Sequence, residues 1–120
     1  MKVFLRLICL LIFWEAAGSG AARAQSNKEL AQVYFKNNEC EKAISYFQKL
    51  LAEDFNREDL KNYAHCVVQL KGFVEAELFI KKQVKINTRN TPWYYMAWGI
   101  LLDTQLKPVE ADKKFEQALE

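Results

Sequence analysis

The segment NYAHCVVQLKGFVEAELFIKKQV, residues 62–84, decides the fold because related segments precede and follow it. They are ELAQVYFKNNECEKAISYFQKLL, residues 29–51, and AWGILLDTQLKPVEADKKFEQAL, residues 97–119. Each contains apolar residues at helical spacing, a short turn, and a second helical stretch near an alanine. The alanines are Ala43, Ala76 and Ala111, separated by 33 and 35 residues. The sequence therefore predicts an all-α chain of three helix–turn–helix units.

This pattern resembles the tetratricopeptide repeat, a helix–turn–helix unit of about 34 residues with a W-x2-L-G-x2-Y motif followed by A-x3-F. The matching positions are Leu30, Ala31, Tyr34, Ala43, Phe47 and Leu50; Tyr63, Ala64, Val67, Phe73, Ala76 and Ile80; and Trp98, Gly99, Leu102, Ala111, Phe115 and Ala118. The usual closing proline is absent. The resemblance covers residues 26–120 and implies an α-solenoid of antiparallel helix pairs, with units at 26–56, 57–90 and 91–120.

Apolar spacing and capping residues together predict the helix bounds. The expected helices are 27–37, 42–53, 57–70, 74–86, 92–104 and 108–120. Ser26 with Glu29 predicts a capping box, and Asn56 predicts a cap for the third helix. Thr91 followed by Pro92 predicts another helix start, and Pro108 opens the last helix.

The first 24 residues have the composition of a cleaved signal peptide. A basic start precedes an apolar run from Val3 to Trp14, and Ala22-Arg23-Ala24 forms a small-residue cleavage site before Gln25. Cleavage nearer Ala17 or Gly20 stays open. The alternative is a membrane anchor, but the run of 12 residues is shorter than the roughly 20 that span a bilayer. We therefore expect an exported protein, either periplasmic, attached to the cell envelope or secreted, without stable membrane insertion.

Removal of this leader leaves a chain without net charge. The full sequence has 17 basic and 15 acidic residues, and the leader accounts for Lys2, Arg6 and Arg23 on one side and Glu15 on the other. The 14 basic and 14 acidic residues that remain balance. A neutral chain with only a small basic face at Lys81, Lys82 and Lys85 does not predict a nucleic-acid partner.

Two cysteines, Cys40 and Cys66, remain after the leader. Disulfide scaffolds of this size usually contain more cysteines, so we interpret the pair first as small apolar packing residues. A Cys40–Cys66 bond is the open alternative, because an exported chain folds under oxidising conditions.

The sixth predicted helix ends at the last residue without a polar capping helix, which repeat arrays normally need for solubility. We expect Phe115 and Leu119 to face a neighbour beyond Glu120, so that the array continues past the chain end. Self-association through this uncapped end is the corresponding expectation. A natural three-repeat protein is the alternative.

No catalytic, cofactor or metal motif is visible in the sequence. His65 and Cys66 are adjacent and point about 100° apart on a helix, so they do not form a dyad. Neither a glycine-rich phosphate loop nor clustered metal ligands occur. We therefore expect a chain that is not an enzyme and that holds no cofactor.

In tetratricopeptide arrays the first helix of each unit lines a concave groove, and the resemblance implies the same arrangement here. The expected partner-binding residues are Lys28, Gln32, Phe35, Lys61, His65, Gln69, Trp93, Met96 and Ile100. Some family members hold a terminal carboxylate with groove lysines, asparagines and an arginine. Only Lys28 fits that scheme, since Gln32, His65, Trp93 and Ala97 occupy the other positions, so we do not expect that activity.

The stretch WYYMAWG, residues 93–99, then has two functions on one helix. Tyr95, Trp98, Gly99 and Leu102 are expected to pack inside the array. Trp93, Met96 and Ile100 are expected on the groove, unless they only pack against a further repeat or the leading loop. The predicted function is a protein-interaction scaffold that binds a protein or peptide segment. The alternative is an N-terminal targeting region of a larger extracytoplasmic enzyme or receptor.

Overall fold

Six α-helices and one short 3-10 helix account for the fold, which we describe from a computed structural model covering residues 23–120. The helices are α1 (Arg23–Lys36), α2 (Cys40–Glu53), α3 (Arg57–Leu70), α4 (Phe73–Ile86), α5 (Thr91–Thr104) and α6 (Pro108–Leu119), with the 3-10 helix at Thr88–Asn90. No strand occurs in this part of the chain, so the all-α prediction is confirmed. The predicted signal peptide, residues 1–24, lies outside the described residues except for Arg23 and Ala24.

Local sequence explains most helix ends. The Asn56 side chain accepts hydrogen bonds from the backbone N–H groups of Glu58 at 2.8 Å and Asp59 at 3.4 Å, as predicted for an N-cap. Pro92 and Pro108 lie in the first turns of α5 and α6. The cap predicted at Thr91 is wrong, because its hydroxyl donates back to the Asn87 carbonyl at 3.4 Å.

The first helix begins earlier than its sequence signals indicate. Helix α1 starts at Arg23, so Ser26 lies inside the helix and not at its N-cap position. The capping box predicted from Ser26 and Glu29 is therefore wrong. The other five helices begin and end within two residues of their predicted bounds.

The turns within the three helix pairs share one backbone geometry. Asn38, Lys71 and Leu106 each adopt a left-handed conformation, with φ of 63°, 58° and 61°. In each turn the following N–H bonds to a carbonyl five residues earlier, at 2.8, 3.1 and 3.0 Å. This is the Schellman arrangement that ends a helix and satisfies its last carbonyl groups. These turns recur at the same 33- and 35-residue intervals as the sequence segments, so the turn geometry repeats together with the sequence.

Helices adjacent in sequence pack against each other, and α3 also contacts α5. The repeated alanines Ala43, Ala76 and Ala111 are all buried, as their recurrence predicts. The larger side chains without solvent exposure include Phe47, Leu51, Tyr63, Val67, Ile80, Tyr94 and Leu101. Small residues at the repeat positions thus let the helix backbones approach, and bulky neighbours fill the remaining space.

A covalent bond crosses from the second helix to the third. The sulfur atoms of Cys40 and Cys66 are joined, and their Cα atoms lie 5.1 Å apart, within the usual range for a disulfide. Both residues are buried, as expected for packing residues. The preferred interpretation as two unbonded cysteines is nevertheless wrong, because helix packing brings the first turn of α2 against the third turn of α3.

The last helix packs on α5 through an aromatic ring. Phe115 is half-buried against the core. The expectation that it faces a neighbour beyond the chain end stays a prediction. Leu119 is 89% exposed. Self-association through this end stays a prediction.

Gly99 makes the α5–α6 contact possible. A Cβ atom at this position would lie 2.5 to 2.9 Å from three ring carbons of Phe115, closer than side chains tolerate. We expect Gly99→Ala to lower the free energy of unfolding by about 1–3 kcal/mol, although alanine favours a helix over glycine by about 1 kcal/mol. Urea denaturation followed by circular dichroism measures the change.

Gly72→Ala is the matched control, because no atom lies within 4 Å of a Cβ at that position. An increase in stability for Gly99→Ala would contradict close packing of Phe115 on α5.

Candidate functional site

An open groove of about 1070 Å³ lies between α3 and α5. Both are the first helices of their pairs, as the groove prediction requires. Residues just before each helix, Phe55, Asn56 and Asn90, also line one end of it. Direct contact between α3 and α5 forms the floor, where Leu60, Ala64 and Ala97 lie.

The α5 wall of the groove is apolar and exposed. Trp93, Met96 and Ile100 occur at spacings of three and four residues, so they share one face of the helix. Their exposed fractions are 39%, 43% and 48%, whereas Trp98 on the opposite side is 9% exposed. The two-faced interpretation of WYYMAWG is therefore confirmed for these residues. Among the described residues, no side chain covers Trp93, Met96 and Ile100 completely, so they stay open to a partner or to packing by another segment.

The α3 wall carries nitrogen-rich side chains. Arg57, Lys61 and His65 follow one another at intervals of four residues, which places them in a row along the helix. The Arg57 guanidinium lies 4.8 Å from the centroid of the Trp93 ring, in the range of a cation–π contact. This contact links the two walls at one end of the groove. Glu58 is the acidic residue in the lining.

The structure brings together five of the nine predicted groove residues. Lys61, His65, Trp93, Met96 and Ile100 line the same space. The other four, Lys28, Gln32, Phe35 and Gln69, do not line it. Sequence analysis missed Arg57, although its position four residues before Lys61 was the available signal.

The four residues outside the groove have other neighbours. Phe35 is half-buried, and its ring meets the rings of Phe47 at 6.0 Å and His65 at 5.6 Å. It therefore contacts the His65 ring without lining the groove. Gln69 is exposed, and its side-chain oxygen lies 3.4 Å from the Cys40 sulfur. Because that sulfur is in a disulfide and carries no proton, this is a contact and not a hydrogen bond.

The positive charge of Lys28 affects the pKa of the Asp59 carboxyl group, which does not line the groove. Burial raises the pKa of the Asp59 carboxyl above its usual value, the positive charge of Lys28 lowers it, and the nearby carboxylates of Glu58 and Asp54 raise it. Asp59 is only 5% exposed, so loss of hydration has the largest effect. Lys28 thus partly compensates a buried charge, while Gln32 is exposed on the same helix.

A second depression, of about 600 Å³, lies near α6 and is lined by the Trp98 ring and several charged side chains. The Lys114 ammonium is 3.9 Å from the centroid of that ring, which is parallel to the Tyr95 ring. Because the chain's own lysine covers the aromatic face, this depression offers less free apolar surface than the groove.

Neither a metal cluster nor a membrane-spanning helix occurs among the residues that the structure describes. No three histidine, cysteine, aspartate or glutamate side chains between residues 23 and 120 gather closely enough to hold a metal ion. None of the described helices has the length and apolar character needed to cross a bilayer. Comparison of the chain with family models, curated proteins and solved structures finds no match.

Proposed function

We propose that this chain is an exported, non-catalytic interaction scaffold that binds a protein or peptide segment in the groove between α3 and α5. The exposed row of Trp93, Met96 and Ile100 carries the proposal. Large apolar side chains on one wall of a groove are the usual anchors for a partner, and the neighbouring polar groups form a rim.

A tetratricopeptide-like architecture accompanies this function. The three helix pairs, the recurring left-handed turn residues and the buried alanines support a repeated unit. Contact between the first helices of the second and third pairs supports stacking of units side by side. Such stacking leaves an extended surface for binding.

The chemistry of the groove favours binding over catalysis. His65 is its only imidazole, and the lining residues include no serine, threonine or cysteine that His65 could activate. The groove is also wide and open, whereas acid–base catalysis depends on converging groups held away from bulk water.

Ile100→Asp tests the proposal. We expect at least tenfold weaker binding of a groove ligand, because the substitution removes an apolar anchor worth about 1.5–3 kcal/mol when buried by a partner. The ligand is obtained by selection of a random displayed peptide library against the chain, and its affinity is measured by fluorescence anisotropy. The melting temperature should change by only a few degrees, since Ile100 is 48% exposed.

Val74→Asp is the matched control, because Val74 is an exposed apolar residue on α4 away from the groove. It should leave affinity unchanged. Equal loss of affinity in both variants, or unfolding caused by Ile100→Asp, would refute the assignment of the groove.

A further inference from the structure

The two walls of the groove differ in the large side chains that they present. The α3 wall presents Arg57, Lys61 and His65, with Glu58 as its acidic residue, and the α5 wall presents Trp93, Met96 and Ile100. A ligand that satisfies both walls needs acidic groups on one side and apolar groups on the other. We infer that the groove binds an amphipathic helix of a protein partner, with its apolar face on α5 and a row of acidic side chains on α3. This inference rests on the proposed function.

The dimensions favour a helix as the occupant. Arg57 and His65 are eight residues apart, so the α3 row is about 12 Å long at 1.5 Å per residue. The apolar row from Trp93 to Ile100 is about 10 Å long by the same measure. A helix segment about 12 Å long and about 10 Å in diameter occupies a cylinder of about 940 Å³. This volume matches a groove of about 1070 Å³.

The spacing of the groups also matches a helical ligand. Anchors three and four residues apart on α5 face a partner helix whose own apolar residues recur at that interval. Acidic side chains on the neighbouring face of the partner helix would then lie opposite Arg57, Lys61 and His65 on α3. Charge complementarity of this kind raises the association rate and fixes the orientation of the partner. Arg57 is held over Trp93 by the cation–π contact, so its guanidinium is already positioned at the end where the two walls meet.

The test uses two 16-residue helical peptides with the same leucine positions, spaced three and four apart. One peptide has glutamates and the other has lysines on the helix face beside the leucines. Both peptides are acetylated and amidated so that no terminal charge contributes. We expect the glutamate peptide to bind the chain at least tenfold more tightly. A proline in the middle of the glutamate peptide should weaken binding at least tenfold, because it breaks the helix.

Charge reversal on the α3 wall provides the decisive variant. Arg57→Glu with Lys61→Glu should abolish or invert the preference for the glutamate peptide. Lys82→Glu with Lys85→Glu is the matched control, because these lysines are exposed on α4 and do not line the groove. The control should retain the preference. Circular dichroism checks that both double variants keep their helices.

Two outcomes separate the inference from the proposed function. Equal binding of both peptides that still depends on Ile100 would overturn the inference and retain the groove as an interaction site. Failure of both peptides, together with failure of the displayed library to give any Ile100-dependent ligand, would overturn both. If anionic lipid vesicles displace the glutamate peptide from the unaltered chain, the inference is also overturned. The ligand of the groove would then be a membrane surface.

Discussion

Replacement of Trp98 by alanine is expected to lower the free energy of unfolding by about 3–5 kcal/mol. The Trp98 ring lies parallel to the Tyr95 ring at 6.1 Å and is covered by the Lys114 ammonium at 3.9 Å. Only 9% of the residue is exposed. Truncation therefore removes an aromatic pair, a cation–π contact and the apolar surface buried between α5 and α6. Because small domains are stable by about 5–15 kcal/mol, this is a large fraction of the total.

Trp93→Ala on the same helix is the matched control. Its ring is 39% exposed and lies at the groove, so we expect a loss below about 1 kcal/mol, in the range usual for exposed positions. Urea denaturation followed by circular dichroism at 222 nm measures both variants without relying on tryptophan fluorescence. Similar losses in the two variants would show that the two faces of α5 do not differ in packing, and the groove assignment would fail with them.

The sequence predicted the helix pairs because each unit encodes its own boundaries. Apolar spacing, the Asn56 cap and the prolines at Pro92 and Pro108 are local signals, and local signals determine where a helix begins and ends. The start of α1 was mispredicted for the same reason. Ser26 and Glu29 match a capping pattern, but the helix already begins at Arg23, so Ser26 is not at the N-cap position.

The burial of α5 was only partly predictable. The expected packing side was Tyr95, Trp98, Gly99 and Leu102, but Tyr94, Ala97 and Leu101 are also buried. Helix α5 packs against α3, α4 and α6, so most of its circumference is covered. Burial of Tyr94 beside Phe55 raises the pKa of its hydroxyl to about 12, although the Asn87 side chain lowers it. The spacing of apolar residues within one helix does not indicate how many other helices pack around it.

The sequence predicted that α3 and α5 line a common groove, but it did not predict which other helices take part. The resemblance placed the first helices of the units on one surface, and α3 and α5 do share a groove. It also assigned α1 to that groove. No α1 residue lines the groove between α3 and α5. Helix α1 packs on α2, as expected for a helix pair, and its Phe35 ring contacts His65 on α3. The relative placement of successive units depends on side-chain packing between them, which a repeat pattern does not specify.

Reduction of the Cys40–Cys66 disulfide is expected to lower the free energy of unfolding by about 3.5 kcal/mol, from the entropy of a closed loop of this length. The two residues are 26 positions apart, and the bond joins the start of α2 to α3. It restricts the unfolded chain across the junction between the first and second helix pairs. The same junction also carries a side-chain hydrogen bond, donated by Gln48 to the Tyr63 hydroxyl at 3.0 Å.

The measurement compares urea denaturation of the chain with and without a thiol reductant, after mass spectrometry of alkylated samples has established the redox state. A Cys40→Ala/Cys66→Ala variant is the control, because its stability should not respond to the reductant. Both cysteines are buried, so the variant also loses some packing and should be no more stable than the reduced chain. If reduction leaves the unaltered chain as stable as before, the junction between the first two helix pairs is held by packing alone. In that case the disulfide would contribute nothing to the position of α3, the helix whose Arg57, Lys61 and His65 form one wall of the groove.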